Sequence, residues 1–291
     1  MAHEPIASAV SALERRATLH EVRAPNGRVA WRVWPSESPG ASPLVLFPGG
    51  FGSWRHWYRN IDALAAYFEV HCVEPPGLGD SDAPASSPPD LDELADAVVV
   101  GFDEVLGVGA GVALVGFSFG GIVAGRTALR LGQRARALVI SGSAALGLPI
   151  GSPSVTPVRI TDGLEPAALD AALRHNLAGF MLSSDAIDET AVFLEYQSFM
   201  RSRLNYTAIM RSTALRESLE RSNCPAGSLC GENDPFIGEH LEDYAALFQV
   251  LRPGAPFEVI DGASHWVMYE RPARYVNALV RMLDTLGYPV R

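Results

Sequence analysis

The sequence predicts an α/β fold: a mostly parallel, twisted sheet with helices on both faces and an inserted helical cap. Up to Ser141, short apolar runs typical of buried strands alternate with helical patterns, as expected for a parallel sheet. Residues 147–219 are first irregular and proline-containing and then helical, without strand patterns, and strands resume afterwards. We therefore expect a core domain formed by residues 1–146 and 220–291 and a cap formed by residues 147–219.

Composition indicates an ordinary globular protein of 291 residues. It is 48% hydrophobic and 19% charged, and its formal net charge of −10 argues against a nucleic-acid or anionic-membrane partner. The most apolar stretch, Leu94–Phe117, is interrupted by acidic residues and glycines, so it is not expected to span a membrane. Because no apolar signal segment is visible, a cytoplasmic location is the default expectation.

The three cysteines, Cys72, Cys224 and Cys230, have neither the number nor the spacing of a disulfide framework or a zinc site. No metal or cofactor is predicted, and the expected partner is a small-molecule substrate. Gly107–Gly111 is glycine-rich but precedes a strand, whereas a dinucleotide-binding loop follows one. The oligomeric state is not predicted.

The first third of the chain is predicted to contain a helix, a hairpin and two strand–helix units. The turn sequence Pro25-Asn26-Gly27 separates the two strands of the hairpin. Asp90 is the predicted N-cap of the helix that ends near Leu106. In chain order the elements are a helix over Pro5–Ala17, strands His20–Arg23, Arg28–Trp34 and Pro43–Phe47, a helix over Arg55–Phe68, strand Val70–Val73 and the helix that follows Asp90.

The remaining elements complete the sheet and form the cap. Strands are predicted at Gly111–Val115, Arg136–Ser141, Ala226–Cys230 and Phe257–Ile260. Cap helices are predicted over Pro166–Leu182, Asp185–Arg201 and Leu204–Leu219, and a final helix over Pro272–Leu286.

The segment Gly116-Phe117-Ser118-Phe119-Gly120 lies between a predicted strand and a predicted helix. Glycine two positions before and two positions after the serine allows the strand and helix to cross closely. A serine on this turn is held at a helix N-terminus, where negative charge is stabilised. The segment predicts a nucleophile at Ser118, and the alternative is a small-residue turn whose serine caps the helix.

A serine nucleophile needs a base, and His265 is the candidate. It lies between the last strand and the last helix, at the edge of the sheet where the carboxyl ends of parallel strands meet. The other six histidines lie in the N-terminal segment, on helices or inside a strand pattern.

Asp234 is the predicted acid that orients His265, because it follows the strand that ends at Cys230. Glu232 is the weaker candidate, since it lies closer to that strand. A plain turn or helix cap at Asp234 is the alternative interpretation. The order Ser118, Asp234, His265 matches the order nucleophile, acid, base.

The tetrahedral intermediate of acyl transfer needs two hydrogen-bond donors. One is predicted to be the backbone N–H of Phe119. The other is expected from the glycine-rich loop after Phe47, with Gly50 favoured and Phe51 as the alternative.

Together these motifs resemble those of the α/β-hydrolase fold family over essentially the whole chain. The family usually has His-Gly at the oxyanion loop, and this sequence has Pro48-Gly49, which leaves the second donor open. The matching segments are Phe47-Pro48-Gly49-Gly50-Phe51-Gly52-Ser53-Trp54, Pro76-Gly77-Leu78-Gly79-Asp80-Ser81-Asp82, the segment around Ser118, Gly231-Glu232-Asn233-Asp234-Pro235-Phe236 and Ser264-His265-Trp266.

The resemblance implies a serine hydrolase without a cofactor, acting on a carboxylic ester of a small or medium apolar substrate through an acyl-enzyme. Two alternatives stay open. One is hydrolysis of a carbon–carbon bond in a ring-cleavage-type diketone, for which Trp266 after the histidine is a weak indication. The other is a non-catalytic small-molecule receptor on the same fold.

The resemblance also implies that the cap selects the substrate. Arg201, Arg203 and Arg211 either hold a substrate carboxylate or form a solvated helix face. The predicted substrate-binding residues are Phe51, Trp54, Phe180, Phe199 and Trp266.

Overall fold

The computed structural model describes residues 3–151, 153, 155–161 and 163–291, and these residues include one eight-stranded sheet. All strands predicted from the sequence are confirmed. The strands are β1 (Thr18–Ala24), β2 (Gly27–Trp34), β3 (Ser42–Phe47), β4 (Phe68–Glu74), β5 (Val112–Phe117), β6 (Ala135–Ser141), β7 (Ala226–Gly231) and β8 (Phe257–Ile260).

The strand order is β1-β2-β4-β3-β5-β6-β7-β8, and β2 runs antiparallel to its two neighbours, β1 and β4, whereas the remaining pairs are parallel. The chain passes from β3 to β4 on one side and returns to β5 on the other side of β3. This reversal creates a crevice at the carboxyl ends of β3 and β5, where ligands bind in open α/β sheets. Phe47 pairs with Gly116 at the end of the ladder, so the loop after β3 and the turn after β5 start side by side.

The helices cover both faces of the sheet, as predicted. The α-helices are α1 (His3–Arg15), α2 (Ile61–Ala65), α3 (Leu91–Leu106), α4 (Phe119–Leu131), α5 (Pro166–Phe180), α6 (Glu189–Phe199), α7 (Thr207–Met210), α8 (Ala214–Arg221), α9 (Leu241–Leu251), α10 (Val267–Glu270) and α11 (Pro272–Thr285). The prediction that Asp90 is the N-cap of α3 is confirmed, because its carboxylate accepts the N–H of Asp92 at 2.7 Å.

Each face of the sheet has its own apolar core. Along β3, Leu44 and Leu46 face the core under α1 and α11, whereas Val45 and Phe47 face the core under α3 and α4. Alternate residues of a strand point to opposite faces, so a strand covered on both sides is apolar throughout. Cys72, Cys224 and Cys230 are buried free thiols. None of the helices described is long and apolar enough to cross a membrane.

The predicted helix over Arg55–Phe68 is wrong in extent. A 3₁₀ turn covers Trp54–Trp57, a short α2 follows, and Phe68 already belongs to β4. The side-chain amide of Asn60, between the two helical pieces, donates to the carbonyl of Met268 at 3.0 Å. Tertiary contacts of this kind stop the helix that the local pattern suggests.

The segment between β6 and β7 contains α5 to α8 and is called the helical segment below. Its helices are shorter than predicted. Asp188 begins α6 by accepting the N–H of Ala191 at 2.8 Å, and the N–H of Arg203 donates to the carbonyl of Gly77 at 2.7 Å, outside any helix. The helical segment lies against the loops that follow β3 and β4. Ser198 contacts Ser53 in the first loop, with 3.0 Å between the two hydroxyl oxygens, and Arg203 contacts Gly77 in the second.

Candidate active site

Ser118 occupies a sharp turn between the end of β5 and the first residue of α4. Its backbone has φ 51° and ψ −121°, a conformation that non-glycine residues rarely adopt. The N–H of Ser118 donates to the carbonyl of Ser141 at 2.7 Å, which fixes the turn to the end of β6. A Cβ atom at Gly120 would lie 2.5 Å from the carbonyl oxygen of Phe47, so only glycine fits there. The strain and the close approach match the predicted nucleophile turn.

Asp234 and His265 are in direct contact. Nδ1 of His265 lies 2.7 Å from Oδ2 of Asp234, and both side chains are almost completely buried. The other carboxylate oxygen of Asp234 accepts the N–H of Phe236 at 2.9 Å, which holds the carboxylate in place. Because Nδ1 faces Asp234, Nε2 is the ring atom available to a nucleophile or a substrate.

Glu232, the weaker candidate for the acid, is exposed, and the carboxylate bonded to His265 is that of Asp234. Its carboxylate accepts the N–H of Gly262 at 2.8 Å and so joins the two loops that carry Asp234 and His265. The geometry therefore selects Asp234 over Glu232 as the carboxylate beside the histidine.

Gly142 links the turn at Ser118 to the Asp234–His265 pair. It follows Ser141, the hydrogen-bond partner of Ser118, and has φ +57°. A Cβ atom on Gly142 would lie 3.0 Å from Oδ2 of Asp234 and 3.3 Å from the imidazole of His265. The rings of His265 and Phe117, the residue before Ser118, are 4.9 Å apart. The three predicted catalytic residues thus follow β5, β7 and β8 at one edge of the sheet, and Gly142 after β6 lies between them.

The loop after β3 contains a tight turn. The N–H of Gly52 donates to the carbonyl of Gly49 at 3.0 Å, and Phe51 has φ 57°. Among the described residues, the N–H groups of Gly50, Phe51 and Phe119 have no acceptor. These three N–H groups are those that the sequence predicted as oxyanion donors, and both Gly50 and Phe51 stay candidates for the second position.

His56 supports this loop. The sequence analysis placed His56 on a helix and did not predict this role. Its Nδ1 accepts the N–H of Gly49 at 3.0 Å. Burial, reinforced by the nearby His265, lowers the pKa of His56 to about 3, so the ring is neutral and carries its proton on Nε2. The sequence did contain a hint of this role. The family usually has a histidine before Gly49, and because this chain has Pro48 there, a different residue must support the loop.

Three of the predicted substrate-binding residues lie beside this site. The ring of Phe51, 42% exposed, is 5.5 Å from that of Phe199. Phe180 stacks on Phe236 at 6.4 Å, and the ring of Phe236 is 4.7 Å from His265. Phe236 was not predicted as a pocket residue, although it belongs to the segment that carries Asp234.

Trp54 and Trp266 require a correction, because neither lines a pocket in this structure. Both are completely buried. Trp54 packs on Trp34 with its ring 5.5 Å away, whereas the indole N–H of Trp266 donates to the carbonyl of His56 at 2.9 Å. Both side chains therefore pack in the scaffold beneath the loops.

Two of the three cap arginines are already engaged. The guanidinium of Arg203 donates to the carbonyls of Gly79 and Ser81, and that of Arg201 donates to the side chain of Gln197 at 2.7 Å. Arg211 is exposed. Within the part of the chain that the structure describes, no group of three His, Cys, Asp or Glu side chains is arranged to hold a metal ion.

The fold and the strand-end loops define an α/β hydrolase. A sequence model of the alpha/beta hydrolase family matches residues 44–278, which is most of the chain. The chain belongs to this family and is a hydrolase.

Individual relatives have different substrates in their names. The chain is 28% identical to a 2-hydroxy-6-oxononadienedioate/2-hydroxy-6-oxononatrienedioate hydrolase from Paraburkholderia phymatum, with 85% of this chain and 88% of that protein aligned. It is 27% identical to a pimeloyl-[acyl-carrier protein] methyl ester esterase from Proteus mirabilis, covering 87% and 97%. An esterase from Rhodococcus sp. has a similar structure, with a TM-score of 0.72, 21% identity and coverage of 92% and 99%.

Proposed function

We propose that the protein is a cofactor-independent serine hydrolase that cleaves a carboxylic ester of a small or medium apolar substrate. The observation that carries the proposal is the 2.7 Å contact between buried Asp234 and His265, next to a serine at φ 51°. A buried carboxylate bonded to one imidazole nitrogen orients the ring and stabilises its protonated form, and the turn exposes the serine at the same edge.

In this mechanism Ser118 Oγ attacks the ester carbonyl while Nε2 of His265 takes its proton. His265 then gives that proton to the leaving alcohol, and Asp234 stabilises the imidazolium between the two steps. The N–H groups of Phe119 and of Gly50 or Phe51 hold the oxyanion. A water molecule, activated by His265, releases the acid from the acyl-enzyme.

The surroundings support an apolar substrate. Phe51, Phe180, Phe199 and Phe236 lie around the site, and Phe236 contacts His265 directly. The similarity to a pimeloyl-[acyl-carrier protein] methyl ester esterase supports ester cleavage.

Fluorophosphonate labelling followed by an ester panel tests the proposal. The wild type should become labelled at Ser118 and should hydrolyse p-nitrophenyl esters, whereas Ser118→Ala should lose both reactions. A panel from acetate to decanoate then defines the preferred acyl length. If Ser118→Ala hydrolysed the esters as fast as the wild type, Ser118 would not be the nucleophile.

Carbon–carbon bond hydrolysis is the second candidate, because a relative with 28% identity carries that kind of substrate in its name. Trp266 after the histidine, the sequence indication for this reaction, is completely buried. Parallel assays of a ring-cleavage dienoate and of short acyl esters, with the same enzyme preparation, separate the two reactions by their relative kcat/KM.

A further inference from the structure

Tyr206, which precedes α7 in the helical segment, lies between the two predicted oxyanion elements. Its ring centroid is 4.8 Å from that of Phe119, directly after the nucleophile, and 5.0 Å from that of Phe51, in the loop after β3. Tyr206, 88 positions after Ser118 in the sequence, thus lies between Phe119 and the loop after β3, which carry the predicted oxyanion N–H groups.

The hydroxyl end of Tyr206 points at Gly50. A Cβ atom on Gly50 would lie 2.5 Å from Cε1 of Tyr206 and would collide with its Cζ and hydroxyl oxygen. Gly50 therefore leaves room for the phenol, and the hydroxyl lies against the backbone whose N–H groups are free.

The Tyr206 hydroxyl has no hydrogen-bond partner among the described residues. The hydroxyls of Tyr269 and Tyr288, by contrast, donate to Asp188 and to the carbonyl of Pro43, whereas the buried hydroxyls of Tyr244 and Tyr275 also have no partner among the described residues. Because this hydroxyl is not committed to another described residue and lies beside the free N–H groups of the loop after β3, it is available to donate to a bound molecule.

We propose that the Tyr206 hydroxyl is a third donor to the substrate carbonyl oxygen and strengthens its bond as that oxygen becomes an oxyanion. This role rests on the proposed acyl transfer at Ser118. Together with the backbone N–H groups of Phe119 and the loop after β3, it makes the helical segment part of the catalytic centre.

The chemistry of the surroundings keeps this hydroxyl a donor. Burial, reinforced by the carboxyl of Glu195 on α6, raises the pKa of Tyr206 above its usual range. The phenol therefore stays protonated at neutral pH, and its hydroxyl can donate. A protonated donor fixed before the reaction stabilises developing charge without reorganisation.

Tyr206→Phe isolates the hydroxyl, because the ring remains to stack on Phe119 and Phe51 and no bond within the described chain is lost. Tyr67→Phe is the matched control, since Tyr67 lies on the surface at the end of α2. Four quantities are measured for both variants and the wild type: the second-order rate constant of inactivation by a fluorophosphonate, kcat and KM for a p-nitrophenyl ester, and Tm.

We expect Tyr206→Phe to lower kcat and the inactivation rate by about 10- to 100-fold, with KM changed less than about threefold and Tm unchanged. Tyr67→Phe should match the wild type. Equal rates for Tyr206→Phe and wild type, faster rates that indicate an obstructing ring, or a Tm lowered by more than about 5 °C that indicates a structural bond would each overturn the role.

The two readouts separate this role from the proposed ester specificity. A wild type that reacts with the fluorophosphonate but cleaves no carboxylic ester overturns the ester assignment, whereas the inactivation rates still decide the role of Tyr206. A wild type that does not react with the probe overturns both.

Discussion

Nδ1 of His56 accepts a 3.0 Å hydrogen bond from the backbone N–H of Gly49, across a loop that contains the predicted oxyanion donors. The imidazole lies between Phe117, at 5.3 Å, and Trp266, at 5.1 Å. These neighbours precede Ser118 and follow His265, respectively. One buried ring therefore ties the oxyanion loop to the segments that carry the nucleophile and the base.

Replacing His56 should lower kcat without abolishing the reaction. His56→Leu leaves the N–H of Gly49 without its acceptor, and one hydrogen bond contributes about 1 kcal/mol, so we expect roughly a 5- to 10-fold loss of kcat. His56→Asn offers an oxygen near the position of Nδ1 and should recover part of the rate. His240→Gln, on the surface near α9, is the control. Steady-state kinetics on one p-nitrophenyl ester measures all three, and equal kcat values for His56→Leu and wild type would contradict a positioning role.

The same histidine should make the fold sensitive to acid. Its pKa is about 3 in the folded protein and near 6.5 in an unfolded chain, so the unfolded state binds a proton first as the pH falls. The stability linked to neutral His56 is complete above about pH 6.5 and is lost progressively toward pH 3. At pH 5 the loss is about 2 kcal/mol.

Urea unfolding of the wild type and His56→Asn at pH 7 and pH 5 measures this effect. The wild type should lose more stability than the variant over that interval, because asparagine does not titrate. Parallel losses in the two proteins would show that other groups cause the acid sensitivity.

Asp234→Asn and Glu232→Gln form a matched pair of isosteric changes in one loop. Asp234→Asn should lower kcat by about 10³- to 10⁴-fold, because an amide favours the wrong tautomer of His265 and does not stabilise its cation. Glu232→Gln keeps an oxygen that accepts the N–H of Gly262, so its kcat should stay within about twofold of the wild type. Near-UV circular dichroism checks that both variants fold. A larger effect at Glu232 than at Asp234 would reverse the assignment of the acid.

The sequence predicted those parts of the site that depend on local pattern. The strand before Ser118 and the loops that carry Asp234 and His265 are short motifs, and parallel topology brings strand ends to one edge whatever the details of packing. The direction of a side chain at a loop is a tertiary property. Trp266 follows His265 in sequence, but its backbone N–H donates to the carbonyl of Met181 at 2.7 Å, its indole N–H donates to the carbonyl of His56, and its ring is completely buried.

The helical segment was the least predictable part for the same reason. Tyr206 lies 156 positions from Gly50 in the sequence, and no periodicity indicates that the two residues meet. Aromatic residues in a helical segment are usually core contacts, so a single exception cannot be recognised until the segment is seen on the sheet. Gly50 carried a partial signal, because a second consecutive glycine indicates a close approach by another group.

Glu195 on α6 should make the protein less stable at neutral pH and above than at pH 4. Burial raises the pKa of its carboxyl to about 7, and no hydrogen bond or ion pair to that carboxyl is present in the described residues. Between about pH 4.5 and pH 7 the unfolded chain releases the proton while the folded protein keeps it, so stability falls as the pH rises. Above pH 7 the free energy of unfolding is lowered by at most about 3 kcal/mol.

Urea unfolding of Glu195→Gln tests this expectation. At pH 8 the variant should have a higher urea midpoint than the wild type, and at pH 4 the two midpoints should be equal. Glu239→Gln, an exposed control, should match the wild type at both pH values. If Glu195→Gln gains no more stability at pH 8 than at pH 4, the buried carboxyl is already compensated by a contact that forms in solution.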